Sequence, residues 1–466
     1  MCNRVQIEFE VWRLIILRRN ASEFLVFETE SCFRLPCVEI PAHTRLAQAL
    51  NDQVKALWGL EVYSLYPLPY NTARPGSPVA HYHVIEALQY EAVAPPAAQW
   101  IPMRLPMEGR FIEPEDFAAV QTWIKSLVGG NSTGLAAFDK PGWFLILKNW
   151  VQKALQPFQM RLTGGFVQFN ASATFSLIRF TTDSDAVWFK AVGEPNLHEF
   201  SISVTLARLF PEYLPSLLAS DPACHGWLAA DAGGPPLNEA KVSSAWIEAA
   251  TALAGLQTAS VSSIDDLLEA GCRDLRAGTL LELVDPFLEV IAKLMQEQSR
   301  VPPPILSREE LSDLGRTLKT ALHRLQSVGI PDTLGHGDFN SGNVILASER
   351  CVFIDWAEAY VGHPFLTFEY LISHLRKDYH PLIQFEDIIR SSYALPWRSV
   401  SLPEHVSDAF LFSPLVAVFA YAVAGNSWRH PERLKIPHRP GYLRSLARRM
   451  KLEADSVSRR RVECLN

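Results

Sequence analysis

Three oxygen-bearing side chains fall close together in the C-terminal half of the chain: Asp338, Asn343 five residues on, and Asp355, which ends the apolar run CVFID. Singly, each reads as an ordinary turn residue. Together they are what phosphoryl transfer from a nucleotide requires. One carboxylate must orient or deprotonate an acceptor hydroxyl. An amide oxygen and a second carboxylate must hold Mg²⁺ on the phosphates, because the metal neutralises charge that protein groups alone do not absorb. Apolar residues between Asn343 and Asp355 predict a hairpin able to bring both ligands to one ion.

The segment His336-Gly337-Asp338-Phe339-Asn340-Ser341-Gly342-Asn343 resembles the catalytic loop of aminoglycoside phosphotransferases and their choline-kinase and fructosamine-kinase relatives. Ile354-Asp355-Trp356 resembles their metal-binding segment, the counterpart of Asp-Phe-Gly in protein kinases. The resemblance covers about residues 142–466. It implies Asp338 as catalytic base, Asn343 and Asp355 as Mg²⁺ ligands, His336 as a brace for the loop, and ATP or another nucleoside triphosphate as co-substrate. It also implies a bilobal, protein-kinase-like α+β fold, with a small sheet lobe over 142–232, a large helical lobe over 233–466 and a cleft between them.

Such a site needs a cation on the phosphates and an acid to place it. Lys190 ends the strand-like run AVWFK, and Glu199 opens a helical pattern nine residues later; Glu194 competes for the same role from a turn flanked by Gly193 and Pro195. The expected phosphate loop, QFNASATFS, contains no glycine. Its small residues, Ser172 and Thr174 among them, still admit backbone N–H groups and hydroxyls to a phosphate. Residues 228–232 resemble the hinge that meets the adenine edge. Where the family reads Gly-Asp-Pro and then an aspartate, this chain has Gly362-His363-Pro364 and Thr367. Thr367 is expected to cap the following helix through its hydroxyl, and His363 to be a surface turn residue.

The elements around these residues read as follows. VWRLIILRR and EFLVFET form a hairpin across Asn20-Ala21-Ser22. Leu46, Leu50, Val54 and Leu57 share a helical stripe that Gly59 ends. HYHVIEALQY reads as a strand and PEDFAAVQTWIKSLV as an amphipathic helix. Residues 129–141, rich in glycine and small polar residues, read as a linker. Three strands follow, in TGGFVQFN, FSLIRFTTDS and AVWFKAV. After about residue 235 the pattern is mostly helical, interrupted by TLGHGDF, NVILA and CVFIDW. Ser413-Pro414 marks the expected start of a buried core helix over Leu415–Ala424, too short to span a bilayer.

Residues 1–128 resemble a Nudix domain, including a late turn at Trp100. Nudix chemistry places glutamates on one helical face to bind Mg²⁺. Here Gln53, Ala56 and Leu57 stand at those positions, so the resemblance implies a catalytically dead domain that serves binding, regulation or dimerisation. A plain α+β packing domain is the alternative.

Composition narrows the classes. The net charge of −7 gives no footprint for nucleic acid. The seven cysteines show no zinc spacing and fit a reducing compartment. The first residues lack the basic start of a signal peptide, so a cytoplasmic protein with no membrane partner is expected. The leading expectation is an ATP/Mg²⁺-dependent kinase acting on a small hydroxylated molecule. A nucleotide-binding pseudokinase joined to a ligand-binding Nudix-like domain is the alternative; a protein kinase is disfavoured, because no Ala-Pro-Glu segment follows Asp355. Asp265, Asp266, Glu269 and Asp274 are available as an acidic wall for a cationic acceptor. Oligomeric state is not legible.

Overall fold

Alternating apolar and polar residues, rich in β-branched and aromatic types, produce two sheets in the first half of the chain. The computed structural model describes residues 8–29, 32–72, 79–104, 109–128, 136–348 and 350–465. They gather into two units, one running to Phe200 and taking in Ser216–Asp231, the other made of Ser201–Pro215 and the chain from Ala232 onward. Residues 129–135 of the expected linker lie outside the described residues.

The first unit opens with strands β1 (Phe9–Arg18), β2 (Glu23–Thr29), β3 (Cys32–Arg34), β4 (Cys37–Pro41), β5 (Val62–Thr72), β6 (Ala80–Ala87) and β7 (Ala98–Pro102). Their order is β3-β2-β1-β6-β5, with β4 on β1 and β7 on β2. Only the β1–β6 pair is parallel. The β1–β2 turn passes through Arg19, Asn20 and Ala21, all at positive φ. The helix Leu46–Trp58 buries Leu50 and Val54 and ends at Gly59, whose φ of 68° is left-handed. Leu57, on the same predicted stripe, is exposed in the last turn.

The second sheet comprises β8 (Leu162–Ser172), β9 (Phe175–Thr182), β10 (Val187–Val192), β11 (Leu217–Asp221) and β12 (Gly226–Ala230). It is antiparallel throughout, in the order β11-β12-β10-β9-β8. One core joins both sheets: Ile15, Phe24 and Val84 pack in the same cluster as Ile178, Phe189 and Leu228. The helix Trp143–Ala154, absent from the sequence reading, lies in that cluster through Phe144, Leu147 and Val151. The Phe144 ring sits 4.8 Å from that of Tyr63 and 4.5 Å from that of Phe166.

A buried polar link also ties the sheets. Gln168 on β8 accepts from the Ser64 N–H at 2.8 Å and from Asn51 Nδ2 at 3.0 Å, and donates to the Ser64 carbonyl at 2.7 Å. Its side chain thus occupies the place of a peptide group in a ladder. Replacing Gln168 with Leu strands both Ser64 backbone groups away from water. The expected loss is about 1–3 kcal/mol per unmet group, read as a lowered denaturation midpoint; an unchanged midpoint would contradict it.

The second unit is mostly helical. Between its helices lie β13 (Arg273–Leu275), β14 (Thr333–His336), β15 (Val344–Leu346), β16 (Cys351–Phe353) and β17 (Ala359–Gly362). β17 pairs in parallel with β13 and antiparallel with β14, while β15 and β16 form the expected hairpin. The predicted start at Ser413-Pro414 is corrected. The helix runs from Pro403 to Ala424 and carries Pro414 inside it. A proline in that place removes one helical hydrogen bond and costs about 3 kcal/mol; burial of Phe412, Leu415, Val416 and Phe419 on either side offsets it. By length and composition this helix could cross a membrane, but 67% of its apolar window is buried within the protein. An antiparallel sheet with one helix, then helices interrupted by a short hairpin, is the element order of an α+β, protein-kinase-like fold.

Candidate active site

β14 delivers the chain to Asp338 through residues with little freedom. A Cβ on Gly335 would lie 2.1 Å from the Tyr360 ring, and one on Gly337 would lie 2.6 Å from the Glu358 carbonyl. Both glycines let this strand press against β17. The Asp338 carbonyl accepts from the Asn340 N–H at 2.8 Å and from Asn343 Nδ2 at 2.9 Å. Asn340 Oδ1 accepts from the Gly342 N–H at 2.8 Å, starting the short 3-10 turn Ser341–Asn343. The loop is closed by its own side chains, and the Asp338 carboxylate is left exposed.

His336 joins that loop to the segment Ile354-Asp355-Trp356. Its Nδ1 accepts the Asp338 N–H at 3.2 Å, which puts the ring proton on Nε2, 3.0 Å from the Ile354 carbonyl. Buried against Trp356, with ring centroids 4.7 Å apart and both ring nitrogens engaged, it braces the loop. The Ile354 N–H in turn donates to the Asn343 carbonyl at 3.0 Å, extending the β15–β16 hairpin until Asn343 faces Ile354. Asp355 follows at once, exposed and left-handed at φ 65°. An aspartate tolerates that conformation better than most residues, and here it turns the chain out of β16.

These residues suit a hard divalent cation. With Nδ2 committed to the Asp338 carbonyl, Asn343 keeps its amide oxygen for a ligand. Among the described residues no group of three or more His, Cys, Asp or Glu side chains forms a metal site. One amide oxygen and one carboxylate leave most coordination positions to water and phosphate, as Mg²⁺ prefers.

The remaining predicted site residues belong to the first unit. Lys190 Nζ donates to Glu199 Oε1 at 2.5 Å, with the Glu199 side chain only 2% exposed. The ammonium also lies 5.2 Å from the Phe175 ring and 5.9 Å from the Trp227 ring. Glu199 sits in the first turn of the helix His198–Leu209, so between the two candidates the lysine pairs with this one and not with Glu194. The glycine-free loop is a two-residue turn, Ala173–Thr174. The hydroxyls of Ser172 and Thr174 lie 3.0 Å apart, and Ser172 Oγ also donates to the Phe175 carbonyl at 3.3 Å. A Cβ on Gly193 would stand 2.4 Å from the Ala173 carbonyl, so the turn rests on that glycine. In the hinge segment, β12 occupies residues 226–230; the Ala230 and Asp231 N–H groups are taken by the Ser216 and Ala186 carbonyls.

Beside Asp338 opens a cavity of about 660 Å³, which the sequence reading missed. Its walls come from the helices Phe365–Asp378, Pro403–Ala424 and His438–Leu465. The Tyr421 and Tyr442 hydroxyls, 3.1 Å apart, share a hydrogen bond. That bond, partial burial and the charge of Asp338 push Tyr421 up to about 12. Of the four carboxylates available for an acidic wall, Asp265, Asp266, Glu269 and Asp274, none lines this cavity, and Asp274 holds Arg276 at 2.6 Å. Its lining carboxylates besides Asp338 are Glu369 and Glu453. Helical spacing places them on buried or half-buried faces, but no local motif marks them.

A family model described as the phosphotransferase enzyme family matches residues 223–382. No curated protein sequence matches the chain. Solved structures similar to it include an ethanolamine kinase of Plasmodium vivax, at 12% identity over 74% of this chain and 96% of that one, with a TM-score of 0.45. A macrolide 2'-phosphotransferase of Brachybacterium faecium matches at 15% identity over 64% of this chain and 97% of its own, with a TM-score of 0.40. A choline/ethanolamine kinase family protein of Mesorhizobium loti matches at 15% over 66% and 98%, with a TM-score of 0.39.

Two expectations within the phosphotransferase segment are overturned. Thr367 does not cap its helix, which begins at Phe365 with Pro364 at the cap position. Fully buried, its hydroxyl accepts the His336 N–H at 2.9 Å and meets the Tyr360 hydroxyl at 2.8 Å. It fixes the loop that follows His336 from behind. His363 is no surface residue: it is 6% exposed, and neither ring nitrogen has a hydrogen-bond partner. Burial holds the imidazole neutral and lowers it to about 3. Buried His83 is lowered to about 3 in the same way. Between the unfolded value near 6.5 and about 3, the unfolded chain binds a proton that the native histidine refuses. Stability therefore falls as pH falls through that window, by roughly 1.4 kcal/mol per pH unit per histidine. Denaturant midpoints between pH 7.5 and 5 measure this slope, and His363→Leu is expected to remove about half of the two histidines' share.

Proposed function

We propose that the chain transfers the γ-phosphoryl group of ATP to a hydroxyl of a small polar molecule, with Asp338 as the base. The observation that carries this reading is the single hydrogen-bonded frame holding the catalytic and metal residues: His336 bonded to both Asp338 and Ile354, and Asn343 bonded to both as well. Asn343 and Asp355 would hold Mg²⁺, which when bound neutralises charge on the nucleotide phosphates. Lys190, fixed by Glu199, supplies a cation for those phosphates. Asp338 accepts the acceptor proton and aims the oxygen in line, and the adjoining cavity receives the rest of the acceptor. Most of the rate gain in such a reaction comes from positioning and electrostatics.

The alternative of a nucleotide sensor without turnover gains nothing from the phosphotransferase match. For the first domain we favour a non-hydrolytic, Nudix-like role, since Gln53, Ala56 and Leu57 offer no carboxylate to a metal. A reducing cytoplasm suits the free thiols found among the described residues. The test is transfer of labelled phosphate from Mg-ATP across a panel of hydroxylated metabolites. Transfer to at least one, absent with Asp338→Asn, is expected. Nucleotide binding with no transfer to any, or transfer that survives the substitution, overturns the reading.

A further inference from the structure

His363 takes no part in the site around Asp338, yet its imidazole is buried, neutral and without a hydrogen-bond partner on either ring nitrogen. A neutral imidazole has one accepting nitrogen and one N–H to donate, so both are left unmet. The ring lines a pocket of about 380 Å³, and none of the residues around that pocket lines the cavity beside Asp338. Strand register explains its walls. Gly362 ends β17 between Leu275 of β13 and Thr333 of β14. Just beyond that edge Arg276, His363 and Asp332 stand side by side, and all three line the pocket. The opposite end of the β14–β17 ladder, where His336 faces Ala359, leads to Asp338. About 13 Å of strand separates Asp332 from His336.

The charges in the pocket do not cancel. Arg276 already has its counter-ion: Nε and Nη2 donate to the two Asp274 oxygens at 2.9 and 2.6 Å. Asp332 has no cation within ion-pair distance among the described residues. Burial raises its carboxyl against the charge of Arg276, so a second cation beside it would be stabilised. The surplus is one negative charge, opposite a ring nitrogen that accepts. A further wall is the start of the helix Ala277–Gln296. The Leu280 N–H bonds the Arg276 carbonyl at 2.9 Å, which leaves the N–H groups of residues 277–279 without an acceptor inside the helix. A Cβ on Gly278 would meet nothing within 4 Å, so this backbone is open to approach. Donors at such a terminus favour an oxygen.

We propose that this pocket is a second ligand site, for a small molecule that carries a primary ammonium and, a few bonds away, an acceptor oxygen. Asp332 and the accepting nitrogen of His363 take the ammonium, and the first-turn N–H groups of residues 277–279 take the oxygen. The ammonium supplies the cation that Asp332 lacks and the donor that His363 lacks. Nothing in this assignment depends on what Asp338 does.

Titration of the full-length protein, labelled with ¹⁵N in its histidines, tests this. Glycinamide and glycine carry the ammonium and the oxygen, and neither has a hydroxyl to phosphorylate. Acetamide and acetate lack the ammonium, and trimethylglycine keeps the positive charge but has no N–H to donate. At least one of the first pair is expected to shift the ring-nitrogen resonances that vanish in His363→Leu. It should also bind tenfold or more tighter than the other three compounds. Asp332→Asn is expected to weaken that binding at least tenfold, and His363→Leu several-fold. The comparison with trimethylglycine is made on the unaltered chain, so it decides the matter even where a variant does not fold. Undisturbed His363 nitrogens with both amines, equal or tighter binding of acetate, acetamide or trimethylglycine, or unaltered binding by a folded Asp332→Asn protein overturns the proposal.

Discussion

Substituting Asn for Asp338 is expected to lower kcat by about a thousandfold or more while leaving the melting curve where it was. The backbone of the loop explains the second half of that expectation. The Asp338 N–H is held by His336 and its carbonyl by Asn340 and Asn343, whereas among the described residues its carboxylate makes only a long 3.5 Å contact with Asn343 Nδ2. The side-chain amide has the same shape and finds the same space. What vanishes is the negative charge that, in the proposed mechanism, accepts a proton from the attacking hydroxyl. Affinity for Mg-ATP should change little, since Asn343 and Asp355 are untouched. Single-turnover transfer and nucleotide titration on the same preparation measure both halves. A variant keeping a tenth of the wild-type rate would remove Asp338 from the chemistry.

The geometry that makes this expectation sharp was only partly legible in the sequence. Asp338, Asn343 and Asp355 are local signals: each sits in a turn beside a short strand, where residue type and spacing report directly on conformation. The β15–β16 hairpin follows from the same short-range pattern. What holds these pieces together is long-range. Thr367 looked like a helix cap because a hydroxyl near a helix start is worth most there. Its actual partner, the His336 N–H, lies 31 residues upstream. His363 looked like a turn residue because it sits between Gly362 and Pro364, yet the chain packs over it. The cavity was missed for a related reason. Its lining residues come from three helices separated by loops, and on each helix they follow the ordinary core spacing. Likewise Gln168, a polar residue within a strand-like run, gave no sign that Ser64 lies opposite it across two sheets. Periodicity identifies the buried face of an element but not what it faces.

Lys190→Met is expected to reduce kcat/KM for ATP by roughly a hundredfold to a thousandfold, and unlike Asp338→Asn it should also lower the melting temperature. The reason is burial. Lys190 is 14% exposed and Glu199 2% exposed, so removing the ammonium breaks an ion pair in a place that water scarcely reaches. Breaking such a pair from one side costs about 3–5 kcal/mol. Glu199→Gln has the converse defect: the lysine remains, held by the Phe175 and Trp227 rings, but its position toward the phosphates loosens. Since each partner's function depends on the other, the double variant should be little worse than either single one in kcat/KM, and more stable than the Lys190→Met protein. Additive losses in rate would show that lysine and glutamate act separately. Lys190→Arg should not restore the rate, because a planar fork on a longer side chain does not place its charge where the compact ammonium stood. A melting temperature that falls for Lys190→Met and partly recovers when Glu199→Gln is added would identify the broken ion pair, and not loss of packing, as the source of the destabilisation.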